Sequence, residues 1–264
     1  MPIEPSSAAR IILVTGGARR LGRCIALALA RSGWDVAVQY RDSQAEALEV
    51  VRAIEALGRR AVAIQADLEH EDQVAALPEA CARQLGELRG VVNNASLFEH
   101  DDVTNIAYAT LERHTRVNLG APLVLARELF RRLPDDATGV HAGVVINILD
   151  QKLYNYNPDF LSYSLAKAGL QAATTMLAQA LAPKVRVVGV APGLTMISAY
   201  QSEENFSAGQ RRLPLAHATT PDDVAAAVCY LAAAPAVTGT TLLVDGGEHL
   251  VAAPRDVMFL PAHD

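Results

Sequence analysis

Short runs of uninterrupted apolar residues recur along the chain, and between most of them the apolar positions shift to a spacing of three to four. Ile11-Ile12-Leu13-Val14, bounded by Thr15-Gly16-Gly17, is the first such run. Its lack of alternation predicts a strand buried on both faces. Residues 21–32 then predict a helix, with Gly33 in the stopping position. A second strand is expected at 35–39, and Ser43 is placed to cap a helix through Leu57, which Gly58 ends. A third strand at 61–65 precedes a helix at 71–85 and a strand at 90–92. Two helices, 111–118 and 121–133, lead to a strand at 143–147 and a long helix at 162–181, with Pro183 beyond it. The last regular elements are a strand at 185–190, a helix at 221–233 and a strand at 241–244.

Strands that alternate with helices need crossover connections. The pattern therefore predicts an α/β fold, a doubly wound, mostly parallel, seven-stranded Rossmann-like sheet with helices on both faces. No linker, repeat or low-complexity run divides residues 1–264, so one domain is expected. Residues 194–217 fit no regular pattern and are expected to fold over a substrate, because loops past the carboxyl ends of strands line such sites. The tail, 249–264, carries Val257, Met258, Phe259 and Leu260, which suits packing on a neighbouring subunit or closing a pocket.

Composition narrows the functional classes. Of 264 residues, 51% are hydrophobic, which excludes a disordered chain. A formal charge of −6 offers no basic face for a phosphate backbone, so nucleic acid is not an expected partner. Cys24, Cys81 and Cys229 lie far apart, without CxxC spacing or a histidine cluster, and read as buried free thiols with no metal site. Met1 to Ser7 has neither the basic nor the apolar region of a signal peptide, and no apolar stretch reaches about 18 residues. A cytoplasmic protein with no membrane contact is expected.

Candidate chemistry begins at Gly16-Gly17-Ala18-Arg19-Arg20-Leu21-Gly22, a glycine turn between the first strand and the first helix. Glycines let the backbone approach a pyrophosphate, which a helix N-terminus attracts. At the end of the second strand, Tyr40, Arg41, Asp42 and Ser43 place a cation beside the only acid, and Arg19 adds another. Guanidinium groups match phosphate geometry, so NADPH is preferred over NADH; solvated surface charge is the plainer alternative for both arginines. Tyr163 and Lys167, four apart, share a helix face, where a nearby cation lowers a phenol's pKa and suits it to donate a proton.

The glycine turn, Asp67-Leu68, Asn93-Asn94-Ala95, Asn118, Tyr163 with Lys167, Pro192-Gly193 and Asp245-Gly246-Gly247 occur in that order. In this the chain resembles the short-chain dehydrogenase/reductase family over nearly its whole length. The resemblance implies that Asp67 and Leu68 hold the adenine, and that Asn94, Ala95 and Ser96 line the cofactor pocket with Pro192 and Gly193. It also implies that Lys167 binds the nicotinamide ribose, that Asn118 organises a proton-relay water, and that the protein is a homotetramer formed partly through the helix of Tyr163. Two departures narrow it: Arg20 stands where the family usually has Gly, and Asp150 where it usually has the catalytic Ser. With Ser96-Leu97-Phe98 they resemble the pteridine and dihydromonapterin reductases.

In those enzymes such residues surround a pterin. Phe98 would stack on one face of the ring while nicotinamide covers the other. Asp150 would share a proton with Tyr163, and Arg20, Ser96 and Leu194 would complete the substrate pocket. Plainer readings leave Phe98 under a loop, Asp150 bracing the turn after its strand, and Arg20 on the surface. Tyr154 and Tyr156 lie near the pocket in sequence, while His100, His114 and His217 read as structural or exposed. Two rivals remain: a carbonyl or 3-oxoacyl reductase on the same fold, and a regulator that binds NADP(H) without turnover. The enoyl carrier-protein reductase variant needs a tyrosine seven residues before Lys167, where this chain has Phe160.

Overall fold

The protein was analysed as a computed structural model that describes residues 10–139, 142–198, 201–217 and 219–259. Met1 to Ser7 and Leu260, both read above, lie outside the described residues. Seven strands, β1 (Ile11–Val14), β2 (Asp35–Tyr40), β3 (Ala61–Gln65), β4 (Gly90–Asn93), β5 (Gly143–Ile148), β6 (Val185–Pro192) and β7 (Thr241–Val244), form one sheet. Their order is β3-β2-β1-β4-β5-β6-β7, and every neighbouring pair is parallel. This is the expected fold class.

The helices are α1 (Arg20–Arg31), α2 (Gln44–Ala56), α3 (Glu71–Gln84), α4 (Tyr108–Thr115), α5 (Ala121–Arg132), α6 (Leu161–Leu181), α7 (Glu203–Arg211) and α8 (Pro221–Ala233). Because strand side chains alternate between faces, β1 divides its own residues between two cores. Ile12 and Val14 pack with Ile25, Leu29, Ile54 and Val228 of α1, α2 and α8. Ile11 and Leu13 pack with Leu77, Leu125 and Leu129 of α3 and α5 on the opposite face. The chain winds outward from β1 toward β3, then returns to β4 on its other side. Such a reversal opens a crevice at the carboxyl ends of the strands.

Two expectations change in detail. The helices read at 111–118 and 121–133 are not separate: α4 starts earlier, at Tyr108, and a five-residue π turn, Arg116–Gly120, carries it into α5. The segment 194–217 is not irregular throughout, since Ser202 caps α7 by accepting from the Asn205 N–H. All three cysteines are free; Cys81 is buried, which pushes its thiol up to about 12, while Cys24 and Cys229 are only half-buried. Among the described residues no helix is long and apolar enough to cross a membrane.

Candidate active site

The cleft is assembled around the turn after β1. Thr15 Oγ1 accepts from the N–H groups of Asn94 (2.9 Å) and Ala95 (3.0 Å), tying that turn to the end of β4. Gly16 takes a φ of +60° and donates to Gln39 Oε1 at 2.8 Å, while Gln39 Nε2 donates to Ala66 O at 2.7 Å. One buried amide thus joins the segments that follow β1, β2 and β3. At Gly22 a Cβ would lie 2.1 Å from Gly16 O, so that position admits only glycine. Arg20 has a φ of +50°, the left-handed region that favours glycine, and its guanidinium donates to Ile197 O at 2.6 Å. An arginine at the family's glycine position therefore bears backbone strain and ties the turn to the segment after β6.

At the other end of the cleft, buried polar contacts fix β5 and α6 relative to each other. Asn147 accepts from Asn93 at 2.8 Å and donates to Thr174 at 2.9 Å. The start of α6 is satisfied from outside the helix: Leu161 N donates to Asp101 O, and Ser162 N to Asp101 Oδ1 at 3.0 Å. With both elements pinned, Tyr163 donates from its hydroxyl to Asp150 Oδ2 at 2.7 Å, and Lys152 N donates to Asp150 Oδ1 at 2.8 Å. Lys167 Nζ donates to Ile148 O at 2.6 Å. Phe98 stacks on fully buried Phe160 (4.2 Å between centroids) and meets Tyr163 edge-on at 4.8 Å.

Burial sets the acid–base character of this group. It raises the Asp150 carboxyl above the ordinary aspartate range, against the hydrogen bonds from Tyr163 and Lys152. Burial, and then the Asp150 charge and hydrogen bond, raise Tyr163 well above an ordinary phenol. The sequence expectation was the reverse, a phenol lowered by Lys167. The reason is geometric: the ammonium is held by Ile148 O and stands 5.8 Å from the ring centroid, while the carboxyl is in direct contact. Burial also pushes Lys167 down to about 8.

Two cavities form a continuous cleft, sharing Gly16, Arg19, Ala95 and Ser96. The larger, about 510 Å³, is lined by Arg20, Leu21, Gly22, Asn94, Phe98, Asp150, Tyr163, Lys167, Pro192, Gly193 and Leu194. The smaller, about 370 Å³, is lined by Tyr40, Arg41, Ser43, Asp67 and Leu68. Nearly all the residues singled out from sequence are thereby brought together. Asn118 is not: it is buried behind the wall, accepting from Leu97 N at 2.8 Å and donating to Leu97 O at 2.9 Å. It braces the Ser96–Leu97 backbone. Tyr154 and Tyr156 are exposed and border a separate surface hollow, not this cleft. His114 is fully buried, and His100 packs edge-on against Phe160 and Phe259.

At the β2 end the cations are already partnered, Arg41 with Asp42 at 2.7 Å and Arg19 with Glu46. Both pairs are largely exposed, so exchanging a carboxylate for a phosphate costs little. Sequence reading missed Gln39, Lys152, Glu248 and Asp256, though it named the tail around Val257 and Met258 as suited to closing a pocket. Asp256, Val257 and Met258 wall the larger cavity. They are held there by Asp159, which accepts from Arg255 Nε at 2.8 Å and from Asp256 N at 2.7 Å. The apolar tail residues were the only sequence signal. Among the described residues, no group of three His, Cys, Asp or Glu is arranged to hold a metal.

Fold and cleft together define an oxidoreductase of the dinucleotide-binding α/β class. A family model described as enoyl-(acyl carrier protein) reductase matches residues 16–249, and the chain belongs to the short-chain dehydrogenase/reductase family. A crystal structure of FolM alternative dihydrofolate reductase 1 from Brucella canis, complexed with NADP, is 38% identical. It superposes with a TM-score of 0.85, covering 92% of this chain and 95% of that one. A blue fluorescent protein from a metagenomic library, in complex with NADPH, is 32% identical with a TM-score of 0.81, covering 90% and 97%. The 3beta-hydroxysteroid dehydrogenase 1 of Eggerthella lenta is 34% identical over 253 residues, covering 91% of this chain and 94% of its own.

Proposed function

We propose that this oxidoreductase is an NADPH-dependent reductase of a pterin ring, acting on a C=N bond of a dihydropterin or dihydrofolate-like substrate. The observation that carries the reading is the 2.7 Å contact between Asp150 and Tyr163, with Asp150 where the family usually has Ser. The likeness to a protein named an alternative dihydrofolate reductase supports it. The cleft fits a dinucleotide: a glycine turn where Gly22 leaves no room for a Cβ, a second cavity at the β2 end, and Arg19 and Arg41 beside it. Gly16, Arg19, Arg20, Leu21 and Gly22 would hold the pyrophosphate. Tyr40, Arg41, Ser43, Asp67 and Leu68 would hold the adenosine end, with a 2′-phosphate on the arginines. Asn94, Ala95, Ser96, Pro192, Gly193 and Lys167 would hold the nicotinamide riboside.

Bound NADPH supplies the two electrons as a hydride to the ring carbon of the C=N bond. The ring nitrogen then needs one proton. Tyr163 holds its proton at neutral pH as any phenol does, more firmly for its burial beside Asp150, and it donates that proton through its hydroxyl. Asp150, itself raised by burial, shares and replaces the proton along the hydrogen bond between them. Phe98, backed by Phe160, offers an aromatic surface against which a flat ring stacks. The same reading carries a homotetramer packed partly through α6.

The test is NADPH oxidation with dihydrobiopterin, dihydromonapterin and dihydrofolate beside a panel of ketones. Turnover confined to the pterins is expected. Asp150→Ala is expected to lower kcat on the best pterin about 100-fold or more, with the KM for NADPH unchanged. Unchanged turnover in that variant removes Asp150 from the mechanism. Turnover of ketones alone keeps the fold and cofactor and replaces the pterin with a carbonyl substrate, the reading that the likeness to the hydroxysteroid dehydrogenase favours.

A further inference from the structure

The larger cavity holds a second carboxyl that the proton relay does not use. Glu248 lies just past β7, in a short turn, Glu248–Leu250, after Gly247. Its Oε2 accepts from Leu194 N at 2.8 Å, which locks the carboxyl against the end of β6. Its Oε1 has no partner among the described residues, and the side chain lines the cavity. The sheet order places β6 between β5 and β7, so Asp150 and Glu248 flank the Gly193–Leu194 segment from opposite sides. Two strand spacings separate their strands, roughly 10 Å.

A carboxyl in this place is costly for the fold. Burial, with the charges of Asp150, Asp245 and Asp256 around it, pushes Glu248 up to about 7. The Leu194 N–H is its hydrogen-bond donor, one that a neutral glutamine would satisfy equally well. A carboxyl tied down by one oxygen in the wall of a binding cavity, with the other oxygen unspent, points to a ligand that donates to it.

We propose that Glu248 is the specificity residue that reads the donor edge of the substrate ring, its Oε1 accepting from the exocyclic amino group while Leu194 holds Oε2. This rests on the pterin reading above and assigns the two carboxyls separate tasks. Asp150 serves the proton at the reacting bond, and Glu248 orients the far end of the ring. The ligand chemistry selected is a 2-amino-4-oxo pyrimidine edge. A ring with only acceptors at that edge sets lone pairs against lone pairs and is rejected.

The experiment compares wild type, Glu248→Gln and Glu248→Ala in steady-state kinetics, with dihydrobiopterin and its 2-desamino analogue, and with thermal melting of each variant. Glu248→Gln keeps an acceptor for Leu194, so it is expected to melt no lower than wild type. Its KM for dihydrobiopterin is expected to rise about 10-fold or more, with kcat changed less than the KM and the KM for NADPH unchanged. The desamino analogue is expected to bind poorly to wild type and to gain nothing from the carboxyl, so its KM stays within about twofold across the three proteins. If wild type turns over dihydrobiopterin and Glu248→Gln leaves its KM unchanged, this inference fails and the pterin reading stands. An equal rise in the KM for NADPH with a lowered melting point makes Glu248 structural and overturns it. If wild type turns over no pterin, the pterin reading fails and this inference falls with it.

Discussion

Arg20 and Phe160 both hold left-handed backbone angles, at φ +50° and +57°. For an L side chain each costs on the order of 1–3 kcal/mol. Arg20 lines the cleft and reaches Ile197 O, and Phe160 lies buried behind it, backing Phe98. Strain retained twice at one site is what selection for function leaves behind, since nothing in packing requires an arginine at the first position. Lys167 shows the same economy in its titration. Burial lowers it to about 8, so its ammonium is charged below that pH and neutral above it. If that charge holds the cofactor ribose, kcat/KM falls as pH rises through about 8. A profile measured from pH 6 to 10 checks this, and a rate still flat at pH 9.5 excludes the role. Gly16 and Tyr163 stood out by type and spacing, and Asp150 only through the family resemblance, as the residue in place of a usual Ser. Gln39 and Glu248 were not, because an amide in a strand and an acid after two glycines acquire meaning only from partners far along the chain.

At the scale of elements, legibility followed apolar content. β1 announces itself by unbroken Ile, Leu and Val, β6 by a run rich in Val, and α1 by its spacing. In α7, Glu-Glu-Asn-Phe-Ser-Ala-Gly-Gln-Arg buries only Ala208 and Gly209, so no apolar face marked it. Its start was still readable in Ser202 followed by two acids, the pattern of a capped first turn. The segment after Leu250 was legible only as unusually apolar. What fixes it is Asp159, about a hundred residues earlier, which takes Arg255 and the Asp256 N–H together. Lys152 adds to the closure, donating to Asp159 O at 2.6 Å and reaching Asp256 Oδ2 at 3.3 Å. Asp159→Asn weakens this clasp and is expected to cost about 2 kcal/mol. Its KM for the pterin is expected to rise several-fold, because Asp256, Val257 and Met258 form the wall, while the KM for NADPH holds. Hydrogen exchange over residues 250–259, measured beside the kinetics, distinguishes a loosened wall from a general loss of stability. Exchange unchanged in the variant rules the clasp out.

Over the whole molecule, the class of sheet was the most legible property, since seven strands joined by helical crossovers make a mostly parallel sheet, while the order of its strands was not read. The proposed tetramer rests on family resemblance alone. On α6, Leu165 and Met176 remain 50% and 67% exposed in a lone subunit, as does Tyr230 on α8. Light scattering is expected to give a mass near four times 28.1 kDa, and a monomer at micromolar concentration removes the tetramer from the proposal.

The interleaving of the sheet has a consequence for the chain during synthesis. β1 lies between β2 and β4, so the strand made first has a partner early, yet its cleft-facing side stays open until β4 arrives. The opposite wall comes from β5, α6, β6 and the turn after β7, all of which are made later. A nascent chain ending before Asp150 therefore carries the glycine turn but none of Asp150, Tyr163 and Lys167. The cleft is whole only once segments made far apart in time have met, so a ligand that touches both walls reports that they have.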